Sequence, residues 1–461
     1  MLEQLNMFLG NVSGIVWGAP LLVLLMGTGL ILTFRLHFLQ IQKLPYALRL
    51  AFTKSTTDEP GDISHFQALM TAMAATIGTG NIVGVASAIS IGGPGALFWM
   101  WVTAVAGMAT KYAEAILAVK YRVVDEKGEM SGGPMYYIER GLGWKWLGVL
   151  FAFSGAVAAL GAGNMVQANA VAGNMKATLG IDPVITGFIL AFFTALVILG
   201  GVKNIGRVTA WIVPTMAITY ALGCSAILLR FAFQIPAALA MVFQGAFSGT
   251  AVVGGFVGST MMLAIRMGVS RGIFSNESGL GSAPIAAAAA KTKEPAKQAL
   301  VSMTGTFMDT IIICTMTGLV LILTGVWQSG AEFSAMTKNA FSIGLPGSFG
   351  GFIVAFGIIF FAYSTILGWA YYGEKCTEYL FGINAVKPYR IAWIFFVAIG
   401  AVVRLDLVWN IADILNGFMA IPNLIALLGL SGVVVAETNA FLASLETRKQ
   451  TPFTDTINKR D

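Results

Sequence analysis

The sequence predicts an all-α polytopic membrane protein with eleven transmembrane helices. Three observations predict it. Of 461 residues, 57% are hydrophobic and only 11% are charged, against roughly 25% charged in soluble domains; mean hydropathy is +0.78. Eleven apolar runs lie near the ~20 residues that cross hydrocarbon. Lysines and arginines collect in alternate loops, as the positive-inside rule requires.

The first run is 14–34. The segment 36–52 mixes Leu, Phe, Ile and Tyr with Lys43 and Arg49; it reads as an interfacial amphipathic helix or as an ordinary loop. Runs follow at 66–91, 95–119, 146–173, 183–200 and 206–230. The stretch 235–249 is apolar but short, a surface helix or loop. The last five runs are 255–290, 298–325, 346–373, 389–404 and 408–437. The N-terminus has no basic n-region and no small-residue cleavage site, so no removable signal is expected.

With the N-terminus outside, the inner loops and the C-terminal tail hold 21 of the 28 basic residues, and the outer loops hold Lys176, Arg230, Lys338 and Arg404. The same bias accounts for the net charge of +6, which therefore makes no case for nucleic acid. Cys224, Cys314 and Cys376 are widely spaced, and His37 and His65 are the only histidines. Neither set has the spacing of a disulfide framework or a zinc site.

Two of the runs are interrupted. One contains Ala74-Ala75-Thr76-Ile77-Gly78-Thr79-Gly80-Asn81. The other contains Phe274-Ser275-Asn276-Glu277-Ser278-Gly279-Leu280-Gly281. A helix in lipid must satisfy its own backbone, so a break survives only where it lines a cavity. Each break opens a set of five spans. Five is odd, so the second set is inverted relative to the first, the plan of many secondary transporters. The expected units are 1–65 (N-terminal helix and cytoplasmic amphipathic segment), 66–230 (first repeat), 231–254 (external loop), 255–437 (second repeat) and 438–461 (cytoplasmic tail).

An unwound segment exposes carbonyls and N–H groups at mid-membrane. The half-helix after Gly80 presents a positive dipole end that suits a carboxylate. Carbonyls of Ala74 and Ile77 suit a hard cation such as sodium, and carbonyls of Phe274 and Ser275 suit an ammonium group. The plainer alternative is that these glycines only permit close helix packing. Ser364 and Thr365 in Phe361–Trp369 likewise have two readings. They bond the preceding turn, or they complete an oxygen cage with the Phe361 carbonyl. Trp369 walls a pocket or sits at a helix interface.

The runs Ala74–Asn81, Ser275–Pro284 and Gly132-Gly133-Pro134-Met135-Tyr136 resemble the alanine or glycine:cation symporter family, from about Gly14 to Glu437. That family is similar in architecture to the leucine-transporter fold, with one extra N-terminal helix. The resemblance implies sodium-driven uptake of small neutral amino acids, alanine or glycine, across a prokaryotic cell membrane; the basic-residue bias puts the C-terminus on the cytoplasmic side. It implies a sodium site at the carbonyls of Ala74, Ile77 and Phe361 and the hydroxyls of Ser364 and Thr365. The substrate carboxylate would meet Thr79, Gly80 and Asn81. The ammonium would meet Phe274, Ser275 or Asn276. Gln167 would contribute from the fourth span, with Asn164 one turn before it; either amide instead bonds neighbouring helices. Ile366 and Trp369 would limit substrate size. A second sodium site would lie near Thr76, Asn81 and Ser275.

Ionisable groups inside a membrane are functional candidates by default. Glu277 stabilises unwound backbone, binds a cation or carries a proton. Asp309 is a cation ligand or an acceptor. Lys111 and Glu114 are three apart and pair, or Glu114 reaches the second break. Arg266 or Arg271 pairs with Asp406 or Asp413 at an outer gate, or snorkels. A proton-coupled permease of the same fold would use Glu277 or Asp309 for coupling. A channel would need a filter repeat and an enzyme a nucleophile–base or metal motif; the sequence offers neither.

Overall fold

Helix α1 (Leu2–Val16) leads through Trp17 and Gly18 into α2 (Ala19–Arg35). These belong to a computed structural model that describes residues 2–53, 59–247, 261–347 and 349–450. The start of the run from Gly255, part of the loop 231–254 and the tail beyond 450 lie outside the described residues. A short helix Leu39–Gln42 and then α3 (Leu44–Ala51) fill the segment read as amphipathic; α3 buries Ala47, Leu50 and Ala51.

Helix α4 (His65–Thr76) begins at a capping box: Ser64 Oγ accepts the Gln67 N–H, and Gln67 Oε1 accepts the Ser64 N–H. This satisfies two of the donors that a helix start leaves open. After the first break comes α5 (Val83–Gly92), bent 61° from α4. Helices α6 (Gly95–Lys120) and α7 (Lys145–Leu179) follow. Next are α8 (Pro183–Ile198), α9 (Gly201–Arg230) and α10 (Ile235–Phe247). The second broken run is α11 (Met261–Asn276) and α12 (Ala283–Ala288). The chain ends with α13 (Pro295–Thr324), α14 (Phe333–Gly344), α15 (Phe349–Phe381), α16 (Val386–Gly400), α17 (Asp406–Gly429) and α18 (Ser431–Gln450).

Among the described residues seven helices are long and apolar enough to cross a membrane, and eight if the bent α4–α5 pair is one span. The predicted spans at 183–200 and 389–404 appear as α8 and α16, of 16 and 15 residues. The run 346–373 is extended to Phe381, because Glu374, Lys375 and Glu378 find partners inside the protein: Arg390 holds Glu374, and Lys375 holds Glu378 at 2.8 Å.

Helix α6 is the core. In its most apolar window 89% of residues are buried, and it packs against α2, α11 and α13. Helix α15 lies against α4 and α9. At its closest approach a Cβ on Gly368 would stand 2.7 Å from the Ala75 nitrogen, so only glycine lets α15 approach the end of α4. Two helices that face the breaks carry wide π turns, Ala159–Met165 in α7 and Phe307–Cys314 in α13, a feature common at functional sites.

At one end of the bundle, β1 (Val123–Val124) pairs antiparallel with β2 (Met130–Ser131). Ile63 forms a parallel bridge with Ala290, joining the chain before α4 to the chain after α12. Arg122 clamps the same place. Its guanidinium donates to the carbonyls of Ala288 (2.8 Å), Ala290 (2.7 Å), Pro60 (3.0 Å) and Thr292 (2.6 Å).

Candidate substrate and cation site

The first break starts where α4 ends. Ile77 is buried, with its N–H on the Met73 carbonyl, and its backbone turns extended. Gly78 is extended too, and one tight turn, Thr79–Asn81, leads into α5. The Asn81 side chain fastens this turn: its Oδ1 accepts the Gly78 N–H at 2.9 Å, and its Nδ2 donates to Asp309 Oδ1 at 2.6 Å. N–H groups in a first turn lack intrahelical partners, which leaves Thr79 and Gly80 suited to an anion.

The second break is held in left-handed backbone at Glu277 (φ 54°), Gly279 (φ 91°) and Gly281 (φ 84°). Glycine adopts this region without a steric penalty, whereas Glu277 does not. Glu114 supports the segment from α6. Its Oε1 accepts the N–H groups of Gly279 (3.1 Å) and Gly281 (3.2 Å) and the Asn423 amide (2.7 Å). Of the two readings for Glu114, the structure has the reach to the break; no ion pair joins it to Lys111 among the described residues. Glu277 accepts from Ser282 Oγ (2.7 Å) and from Trp369 Nε1 (3.1 Å).

A cavity of about 40 Å³ lies between the breaks. Its walls include Ala75, Thr76, Gly78, Thr79 and Gly80 from the first, and Phe274, Glu277 and Leu280 from the second. Ala162 and Gln167 come from α7, Thr365 and Trp369 from α15, Trp17 from the α1–α2 junction, and Asn416 from α17. Gln167 Nε2 donates to the Ala162 carbonyl at 3.0 Å, and its Oε1 has no protein partner; neither does Asn416 Oδ1. Two buried acceptors on the cavity wall are left for something that donates.

Next to this cavity lies a group of oxygens. Ser364 Oγ and Thr365 Oγ1 each stand 2.9 Å from the Phe361 carbonyl and 3.2 Å from the Ala74 carbonyl. A Cβ placed on Gly78 would come within 2.9 Å of Thr365 Oγ1. Neutral oxygens around a point are the donor set of a hard cation. The hydroxyls bond the preceding turn and also reach across to the Ala74 carbonyl of α4.

Not every expected residue lines the cavity. Asn81, Ser275 and Asn276 stand behind it. Ser275 Oγ donates to Asp309 Oδ2 at 2.9 Å, and Asn276 Nδ2 to Thr310 Oγ1 at 3.2 Å. Asp309, from the π turn of α13, thus gathers Asn81, Ser275 and Thr310 Oγ1 (2.7 Å). The Thr76 hydroxyl bonds Ala72 in its own helix. Ile366 is fully buried in the core. Asn164 takes the helix-bonding role, donating to the Trp393 carbonyl at 2.9 Å. No ion pair joins Arg266 or Arg271 to Asp413 among the described residues, and Arg271 lies over the Phe274 ring at 5.9 Å. The Asp406 side chain lies outside the described residues. Sequence reasoning missed Trp17, Ala162 and Asn416. Asn416 is one of three amides in the apolar run 408–437, with Asn410 and Asn423, and nothing in the run singles it out.

Two broken helices around a shared cavity define a membrane transporter of the leucine-transporter fold. The fold is shared with MhsT in complex with L-phenylalanine (TM-score 0.59, 15% identity, 82% of this chain and 92% of that one). It is shared also with a Na+-coupled sialic acid symporter (TM-score 0.52, 12% identity, 80% of each chain). The chain belongs to the sodium:alanine symporter family, whose profile matches residues 2–455. It is similar to the sodium/alanine symporter AgcS of Methanococcus maripaludis, 59% identical over 94% of this chain and 96% of the relative. The probable sodium/glutamine symporter GlnT of Bacillus subtilis is 37% identical over 94% and 90%. The family is one of transporters, not enzymes.

Proposed function

We propose that the protein carries a small neutral amino acid, alanine or glycine, into the cell together with sodium, by alternating access. One observation carries the reading: Thr365 lines the cavity and also belongs to the oxygen group beside it. Cation and substrate at such a site each order what the other binds, a reciprocal coupling free energy. Sodium would sit among the carbonyls of Ala74, Ile77 and Phe361 and the hydroxyls of Ser364 and Thr365. The substrate carboxylate would take the N–H groups of Thr79 and Gly80. Its ammonium would take Gln167 Oε1, Asn416 Oδ1 and a carbonyl near Phe274. Trp369 and Phe274 bound the side chain, with Asn81, Ser275, Asn276 and Ile366 holding the walls from behind.

The same reading has eleven spans, an N-terminal helix followed by two inverted sets of five, in a prokaryotic cell membrane. The basic-residue bias supports an external N-terminus and a cytoplasmic C-terminus. Sodium would favour an outward-open form, and substrate would close it before the core rocks inward.

Labelled alanine uptake into proteoliposomes tests this, with an inward sodium gradient and then an inward proton gradient. Uptake driven by sodium and lost in Ser364→Ala/Thr365→Ala is expected. The alternative is a proton-coupled permease; Glu277 and Asp309, two buried carboxylates at the breaks, favour it. Uptake driven only by protons would establish it.

A further inference from the structure

A second cavity, of about 100 Å³, lies where α2 ends against α18. It is lined by Arg35, His37, Gln42, Lys43, Thr438 and Asn439, with leucines beneath. A single water needs about 10–15 Å³, so this cleft admits a polyatomic group. Arg35 closes an apolar 17-residue helix, which places it where hydrocarbon gives way to headgroups.

The chain is bent to build this cleft. His37 and Phe38 are consecutive non-glycine residues in left-handed backbone, at φ 53° and 57°. The turn is held by Phe38 N–H on the Thr33 carbonyl (3.0 Å) and by Gln42 Nε2 on the His37 carbonyl (2.9 Å). It brings Arg35 and Lys43, from either side of the bend, to one cavity. Strain of this kind persists only where the surroundings impose it.

The charge is unbalanced. Lys43 has no carboxylate within ion-pair distance among the described residues, and Glu437, near Thr438, is engaged by Lys120. Arg35 gives one N–H to Ser431 Oγ, and its guanidinium has others to offer. Beside the cleft Phe34, Phe38 and Ile41 are exposed, two of them packed edge to face.

We propose that this cleft seats the headgroup phosphate of an anionic phospholipid, with the acyl chains along Phe34, Phe38 and Ile41. Two cations can each meet one of the two non-bridging oxygens over which a phosphodiester spreads its single charge, and basic pockets between membrane helices are suited to such headgroups. A zwitterionic headgroup would bring its own cation, for which the cleft has no acid among the described residues. The proposal does not depend on what is transported.

The test is native mass spectrometry of the purified full-length protein with phosphatidylglycerol, phosphatidylcholine or inorganic phosphate. The wild type should retain one phosphatidylglycerol selectively. Arg35→Gln/Lys43→Gln should bind it roughly thirtyfold more weakly, and Lys43→Gln alone roughly fivefold. The Lys43 side chain makes no hydrogen bond or ion pair among the described residues, so the single variant is the control for misfolding. Equal retention of phosphatidylcholine, or undiminished binding by the folded Lys43→Gln variant, would overturn the proposal. So would inorganic phosphate binding as tightly as the lipid, since the site would then be one for a free anion.

Discussion

Trp369 Nε1 lies 3.1 Å from Oε1 of Glu277, so the helix that carries Ser364 and Thr365 is bonded to the second break across the cavity. Trp369→Phe keeps most of the aromatic wall and removes the donor. A hydrogen bond to a charged group contributes about 1.5–3 kcal/mol. Alanine kcat/KM should fall at least tenfold, with a smaller change in sodium affinity. Uptake measured at several sodium concentrations separates the two; an unchanged kcat/KM would show the bond to be incidental.

Gly163 faces the same indole. A Cβ there would stand 2.4 Å from the Trp369 ring, so Gly163→Ala must displace a side chain that lines the cavity. Overpacking of this kind costs about 1–3 kcal/mol. Alanine uptake should drop roughly tenfold, and glycine uptake less, because glycine lacks the methyl that meets the displaced wall. Competition between the two labelled substrates reads the ratio.

Thr365→Ala removes an oxygen shared by the proposed cation site and the cavity wall. Half-saturation by sodium should rise roughly tenfold, with the alanine-to-glycine preference held. A mutant with wild-type sodium dependence would remove Thr365 from the cation site.

Glu114→Ala strands the buried N–H groups of Gly279 and Gly281 and removes one of the two acceptors of the Asn423 amide, which keeps the Gly279 carbonyl. Each orphaned group costs about 1–3 kcal/mol, so stability should fall by about 3 kcal/mol or more. Thermal unfolding in detergent measures it. Glu437→Ala, which loses only the partly exposed pair with Lys120, is the comparison and should change little.

Arg122 ties four carbonyls at the junction of residues 60 and 288–292. Arg122→Gln should loosen that closure and raise the labelling rate of a cysteine placed at Ala287 by several-fold. No change would mean that the backbone bonds between residues 60–63 and 289–292 hold the junction without Arg122.

Much of this was legible in the sequence, for identifiable reasons. Glycine and polar residues in an apolar run mark a break, because lipid tolerates no unsatisfied backbone; Gly78–Asn81 and Glu277–Gly281 fall at the two breaks. Ser364 and Thr365 stood out as adjacent hydroxyls. Other parts depend on which helices meet. Asn416 and Trp17 reach the cavity only because α17 and the α1–α2 junction pack there. Ser275 and Asn276 turn away because Asp309 and Thr310 present better partners from α13. Hydropathy ends the ninth run at 373, but the helix continues to Phe381 on charges that satisfy one another.

The π turns in α7 and α13 have a bearing on how such a site could arise. A π turn takes up one residue more than an α turn, and each residue of a helix advances its face by about 100°. Gln167 comes just after the turn Ala159–Met165, and Asp309 lies within Phe307–Cys314. An unbroken α-helix of the same sequence would aim both side chains elsewhere. Their placement therefore behaves like the product of a one-residue insertion absorbed inside a span. A matching deletion would rotate the polar groups out of register while leaving the helix, its length and its hydropathy almost untouched.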